Sequence, residues 1–150
     1  MNASASWDGM AWLTGATAAE RIIPSVIAEA HRVQQEILEL LKQNSFSDRD
    51  IFAVKLAVEE AVVNAIRHGN QSDPDKKVRI AYQVTTDAFA IRICDEGCGF
   101  DPDAVPDPTQ EENLEKPSGR GLLLMRYYMN EVRFLDGGTT VLMFKRRGSS

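Results

Sequence analysis

Glu60, Asn64 and His68 stand four residues apart in an otherwise apolar run that includes Val54, Val58, Ala61, Val62, Ala65 and Ile66. On a helix this spacing puts all three on one face. A carboxylate and an amide among such neighbours are costly to bury without a partner. Two readings fit the stripe: a solvated helix face, or a site for Mg²⁺ and phosphate. Mg²⁺ takes few protein oxygens and keeps phosphates and waters as its other ligands. Asn64 could supply one oxygen, and Glu60, one turn away, could act as general base on a water or hydroxyl. His68, near the helix end, reads as a cap or hydrogen-bond partner. A second group is Asp95-Glu96-Gly97-Cys98-Gly99-Phe100. An ionised Asp only accepts hydrogen bonds, which suits a donor such as the exocyclic amine of adenine. Glycines two residues apart permit a sharp turn and close approach of a flat ligand. The plainer alternative is a strand-ending turn. The pattern is not GxGxxG opening a helix, so a dinucleotide fold is not supported. A third group, Ser118-Gly119-Arg120-Gly121, opens a helical segment. Free N–H groups there attract phosphate, and Arg120 adds a charged contact. Ordinary capping is the alternative.

The elements that must position these groups follow from periodicity. Val26, Ala30, Val33, Ile37, Leu40 and Leu41 recur at helical spacing, which predicts a helix over 26–41, with Pro24 suited to a first helical position. Ser47 and Asp50 form a capping-box pattern before a second helix over about 48–68, with Gly69 as its C-cap. Asp73-Pro74-Asp75 reads as a turn. Val78, Ile80, Tyr82 and Val84, then Phe89, Ile91 and Ile93, alternate as two strands of an antiparallel hairpin. Glu20–Ile23 and Met10–Leu13 read as short strands, after a loose leader over 1–8. The stretch 95–118 has no period and holds Pro102, Pro106, Pro108 and Pro117, as a long functional loop does. A helix over 121–130 follows. Strands over 132–135 and 140–144 flank an Asp136-Gly137-Gly138 hairpin signal. The whole predicts one α+β domain over 1–150, with its motif-bearing core over 20–146: a two-layer α/β sandwich whose mixed, mostly antiparallel sheet carries helices on one face.

Composition narrows the class. The chain has 150 residues, 43% hydrophobic and 26% charged, so it can bury a core without disulfides or a structural metal. Seventeen Lys and Arg against twenty-two Asp and Glu give a net charge of −5, which argues against direct nucleic-acid or anionic-membrane binding. No apolar run approaches a membrane span. Cys94 and Cys98, with only His31 and His68 as other soft ligands, make no zinc pattern and read as reduced thiols of a cytoplasmic protein.

Taken together and in order, the motifs resemble the GHKL ATPases (gyrase, heat-shock chaperone, histidine kinase and MutL proteins) with the Bergerat ATP-binding fold. Glu60-Ala-Val-Val-Asn64-Ala-Ile-Arg-His68-Gly69 is similar to their N box. Asp95 to Phe100 and Ser118 to Met125 are similar to the two glycine boxes, and Gly138-Thr139-Thr140-Val141 to the terminal Gly-Thr strand. The wording EAVVNAIRHGN, DEGCGF, SGRGLLLM and GGTTV most resembles the anti-sigma-factor serine kinases of the RsbW and SpoIIAB type. The resemblance implies ATP and Mg²⁺ as cofactors. Glu60 would be the general base and Asn64 the Mg²⁺ ligand. Asp95 would take the adenine amine, with Gly97 and Gly99 shaping that wall. Gly119, Arg120 and Gly121 would hold phosphates, and Thr139, with Thr140 as rival, would join the adenine-side hydrogen bonds. It also implies partners: a sigma factor held inactive, and a STAS-type anti-sigma-factor antagonist phosphorylated on serine in a partner-switching pathway, with the chain itself a homodimer.

The sequence departs from that pattern at Pro117, where related chains often carry Arg; Lys116 precedes it. The segment before it is acidic, with Asp101, Asp103, Asp107, Glu111, Glu112 and Glu115. A non-catalytic, nucleotide-gated binding module and a stand-alone histidine-kinase ATPase domain are therefore the competing readings.

Overall fold

The structure is a computed structural model, and it describes residues 18–99 and 119–149. The predicted strand over 10–13, the leader, and the stretch 100–118 with Lys116, Pro117 and Ser118 lie outside the described residues. In chain order the elements are β1 (Ala19–Pro24), α1 (Ile27–Gln43), α2 (Asp48–Val63), a π-helical turn (Asn64–Gly69), β2 (Lys77–Val84), β3 (Ala88–Cys94), α3 (Gly119–Tyr128), β4 (Glu131–Leu135) and β5 (Thr140–Arg146). The five strands form one sheet in the order β1-β2-β3-β5-β4, and each ladder is antiparallel.

Alternation decides which face is covered. Ile80 pairs with Ile93, and Ile93 with Val141; Tyr82 pairs with Ile91, and Ile91 with Met143. These side chains are buried together with Ile37, Leu41, Val54, Val58, Ile66 and Met125 from the helices. The helices thus share one face of the sheet, and its core is a single apolar layer between them. A smaller cluster, Ala88, Ala90, Leu142 and Phe144, is buried on the opposite face.

The α1 stripe is as spaced, with Ala30, Val33, Ile37 and Leu41 buried. Val26 is exposed instead, at the N-cap. Gln34 is buried and donates from Nε2 to the Lys55 carbonyl at 3.0 Å, which ties α1 to α2. Pro24 closes β1 rather than opening α1. β1 is an edge strand, where a missing N–H costs little.

The capping box forms by half. Ser47 Oγ accepts from the Asp50 N–H at 3.1 Å. The Asp50 carboxylate does not return the bond. It turns inward, 2% exposed, where Oδ2 accepts from the Gly148 N–H at 2.7 Å and Oδ1 lies 3.8 Å from Lys145 Nζ. Lys145 projects from the helix-covered face of β5 and also donates to the Ser149 carbonyl at 3.1 Å.

Among the described residues, no helix is long and apolar enough to cross a membrane. Cys94 and Cys98 are free thiols.

Candidate functional site

The second helix does not run to His68 in α geometry. It ends at Val63 and continues as a π turn from Asn64 to Gly69. The Asn70 N–H reaches back to the Ala65 carbonyl at 2.9 Å, five residues away, and the Ser72 N–H to Ile66 at 2.8 Å. Turns of this kind gather at functional sites because they re-aim the side chains they carry. Here Glu60 and Asn64 keep their one-turn spacing at the end of α2, half-buried. Asn64 Nδ2 and His68 Nδ1 are buried with no hydrogen-bond partner. Buried polar atoms are nearly always paired, so these two leave bonding capacity that a ligand or water can complete. A half-turn of the Asn64 amide presents its oxygen to the same space.

The second glycine segment arrives at this face. Gly119 is the first residue of α3, so Gly119, Arg120 and Gly121 all lie in its first turn, earlier in the helix than the periodicity predicts. Gly121 is buried. A Cβ there would stand 2.7 Å from Glu60 Oε2 and 3.5 Å from Asn64 Nδ2. Any side chain there would push the Glu60 carboxylate aside. Arg120 is exposed on the same turn.

Asp95 ends up on the other side of the π turn. Its N–H donates to the Thr139 carbonyl at 2.9 Å, which ties the end of β3 to the start of β5. Its Oδ1 accepts from the Gly97 N–H at 2.8 Å. A Cβ on Gly69 would collide with the Asp95 carboxylate, and one on Gly97 would collide with the Gly69 carbonyl. Gly69 is therefore required by close approach; it is the last residue of the π turn and not a left-handed C-cap. Gly99 has φ +81°, and a Cβ on it would meet the Gly137 carbonyl. Burial pushes the Asp95 carboxyl above its usual pKa, opposed by the Gly97 N–H and by the nearby Lys76 ammonium.

The Thr139 hydroxyl donates to the Asp136 carbonyl at 3.1 Å. The Thr140 hydroxyl lies 3.2 Å from Asp136 Oδ2 and 3.3 Å from Cys94 Sγ. The structure thus brings Glu60, Asn64 and Gly121 together, and Asp95, Gly97 and Thr139 together, with the π turn between. Among the described residues, no three His, Cys, Asp or Glu side chains group to hold a metal. The residues present fit a Mg²⁺ carried largely by phosphate oxygens, and the unpaired Asn64 amide could give it one protein oxygen.

Sequence reasoning placed Gly69 and Asn70 in the motif but gave neither a role in the site, and it missed Lys76. The signal available was Asn70 itself, a polar residue just after the apolar helix run. It is fully buried here.

The chain matches the family of histidine kinase-like ATPase domains over residues 23–145. It is 35% identical over 107 residues to the serine-protein kinase RsbW of Bacillus licheniformis, covering 67% of this chain and 67% of that protein. It is 39% identical over 98 residues to the anti-sigma F factor of Halalkalibacterium halodurans, covering 61% of this chain and 66% of that protein, just under two thirds. A crystal structure of the RsbU and RsbW domains of a Mycobacterium tuberculosis protein superposes with a TM-score of 0.58 at 18% identity; the match covers 87% of this chain and 32% of that one. That likeness concerns the fold.

Proposed function

The chain belongs to the histidine kinase-like ATPase domain family, and from that membership we propose that it is an ATP-dependent serine/threonine protein kinase and anti-sigma factor. The observation that carries the reading is the meeting of Gly121 with Glu60 and Asn64: a carboxylate, an orphaned amide and a helix N-terminus at one point. A helix N-terminus favours phosphate, and the Gly-rich first turn of α3 lets it come within reach of Glu60. Asp95 at the other pole would accept from the adenine amine, with Gly97, Gly99 and Thr139 around it. Asn64 would hold Mg²⁺, which would supply charge neutralisation for the phosphates. Glu60 accepts the proton of an acceptor hydroxyl as that oxygen bonds to the γ-phosphorus and the bond to the β-phosphate oxygen breaks, leaving ADP. Positioning and charge stabilisation dominate such transfers.

The relatives named as serine-protein kinase and anti-sigma factor support a protein substrate over water. The partners are a sigma factor, held inactive, and a STAS-type antagonist phosphorylated on serine, with the chain acting as a cytoplasmic homodimer. The test is transfer of labelled phosphate from ATP to the STAS-type protein of the same genome. Wild type should transfer, and Glu60→Gln should be slower by about 10²–10⁴-fold, the usual worth of a positioned base. Tight ATP binding with no transfer would replace this reading with a nucleotide-gated binding module.

A further inference from the structure

Asn70 is fully buried, and its side chain makes three hydrogen bonds. Nδ2 donates to Ser25 Oγ and to the Lys77 carbonyl, each at 2.9 Å. Oδ1 accepts from the Glu96 N–H at 2.7 Å. One side chain therefore ties together the β1–α1 junction, the start of β2 and the turn that follows β3. Ser25 Oγ passes the connection on, donating to the Lys76 carbonyl at 2.7 Å. The Glu96 carboxylate accepts from the Lys77 N–H, so the same turn is held to β2 twice.

That turn carries Asp95. The adjoining Gly69 leaves the space that the Asp95 carboxylate occupies, and Gly97 packs on the Gly69 carbonyl. Beside the bond of its own N–H to the Thr139 carbonyl, Asp95 is thus held by the end of the π turn and by a bond on the residue that follows it. The last two run through Asn70, whose own N–H closes the π turn on Ala65. None of these bonds reaches toward the face holding Glu60 and Gly121.

We infer that Asn70 is a positioning residue for nucleobase selection, holding the Asp95 turn in the geometry that distinguishes a 6-amino purine from a 6-oxo purine. The inference rests on the reading of Asp95 as the acceptor of the adenine amine. An ionised carboxylate at C6 accepts from an amino group and repels an oxo group. If the Asp95 turn is free to shift, that discrimination falls, while binding of the phosphates through α3 and Asn64 persists.

The test is titration of ATP and of inosine triphosphate, which carries oxygen in place of the amine, into the full chain with and without Mg²⁺. Wild type should prefer ATP. Asn70→Ala leaves the Glu96 N–H and the Lys77 carbonyl unpaired, and the preference should fall by about tenfold or more. The ratio of affinities with and without Mg²⁺ should stay at the wild-type value. Ser25→Ala removes the two bonds of its hydroxyl, from Asn70 and to the Lys76 carbonyl, and keeps the one between Asn70 and Glu96, so it should lower the preference by a few-fold. A folded Asn70→Ala protein with the wild-type preference, or one that loses Mg²⁺ dependence in parallel, overturns the inference. If Asn70→Ala does not fold, Ser25→Ala decides: an unchanged preference overturns it. A wild type that does not distinguish the two nucleotides removes the Asp95 reading and this inference with it, and is seen before any variant is made.

Discussion

The two ends of α2 treat their polar groups in opposite ways. At the N-terminal end every buried polar group has a partner. Ser47 caps, Asp50 accepts from Gly148 and faces Lys145, and Lys145 donates on to Ser149. Asp50 also sits in the first turn, where the helix dipole favours a negative charge. At the C-terminal end the helix loosens into a π turn and leaves Asn64 Nδ2 and His68 Nδ1 without partners. Both ends lie within one continuous apolar core. One end uses its polarity to hold the chain together; the other keeps its polarity for something that arrives from outside. The difference separates residues whose loss unfolds the protein from residues whose loss leaves it folded and unable to bind.

The largest break in that contrast comes from Asp50→Ala. Removing one member of a buried pair strands Lys145, whose pKa burial already lowers, and should cost about 3–5 kcal/mol of stability. Denaturant unfolding checks it, and ATP affinity of the folded fraction should not change. At the other end, Asp95→Ala should cost about 1.5–3 kcal/mol of ATP binding, the scale of a lost charge-assisted hydrogen bond. Calorimetric titration measures that loss, and the unfolding midpoint should move little. Asn64→Ala is the sharpest probe. It removes an amide that the fold leaves unpaired, so stability should stay within about 0.5 kcal/mol, while Mg²⁺-ATP weakens more than metal-free ATP. Equal losses with and without Mg²⁺ would refute the Asn64 assignment.

The smallest effect is one of pH. Burial raises the Asp95 pKa in the folded state. A raised carboxyl pKa contributes stability that is full below the unfolded value, about 3.9, and is lost as pH rises through the folded one. Nucleotide needs the ionised form, so its affinity should fall on acidification, beginning above the ordinary aspartate range. Protonation thus favours the empty fold and ionisation favours the ligand. Titrations of wild type across mildly acidic pH, compared with Asp95→Asn, check it; the variant should lack the acid-side loss.

Much of this was legible in the residues, and the exceptions share a cause. Alternation along β2 and β3 named the helix-facing set, while Ala81, Ala88 and Ala90 on the other face are buried too. The α1 stripe and the Ser47 cap were equally plain. The roles of Glu60, Asn64 and Asp95 came from motif order, and the fold brings Glu60 and Asn64 to Gly121. What spacing could not supply was contact across elements. Gly69 looked like a cap because helix ends favour glycine, yet the Asp95 carboxylate fills the space where its side chain would be. Asp50 looked like half of a capping box, yet a lysine 95 positions later claims it. The π turn itself left no trace, since its residues are those of an ordinary helix.

That turn also places a constraint on chain length. It accommodates one residue more per hydrogen-bonded ring than an α-helix does. A single-codon deletion inside the turn would be absorbed as the helix closes normally, whereas one in the α-helical turns just before it would swing whatever follows through about 100°. In the second case Gly69 would turn away from Asp95, and Asn70 would leave Glu96, with no amino acid replaced. The site is therefore more vulnerable to indels just before the turn than a survey of point substitutions would reveal, and relatives that keep its residues should keep their count as well.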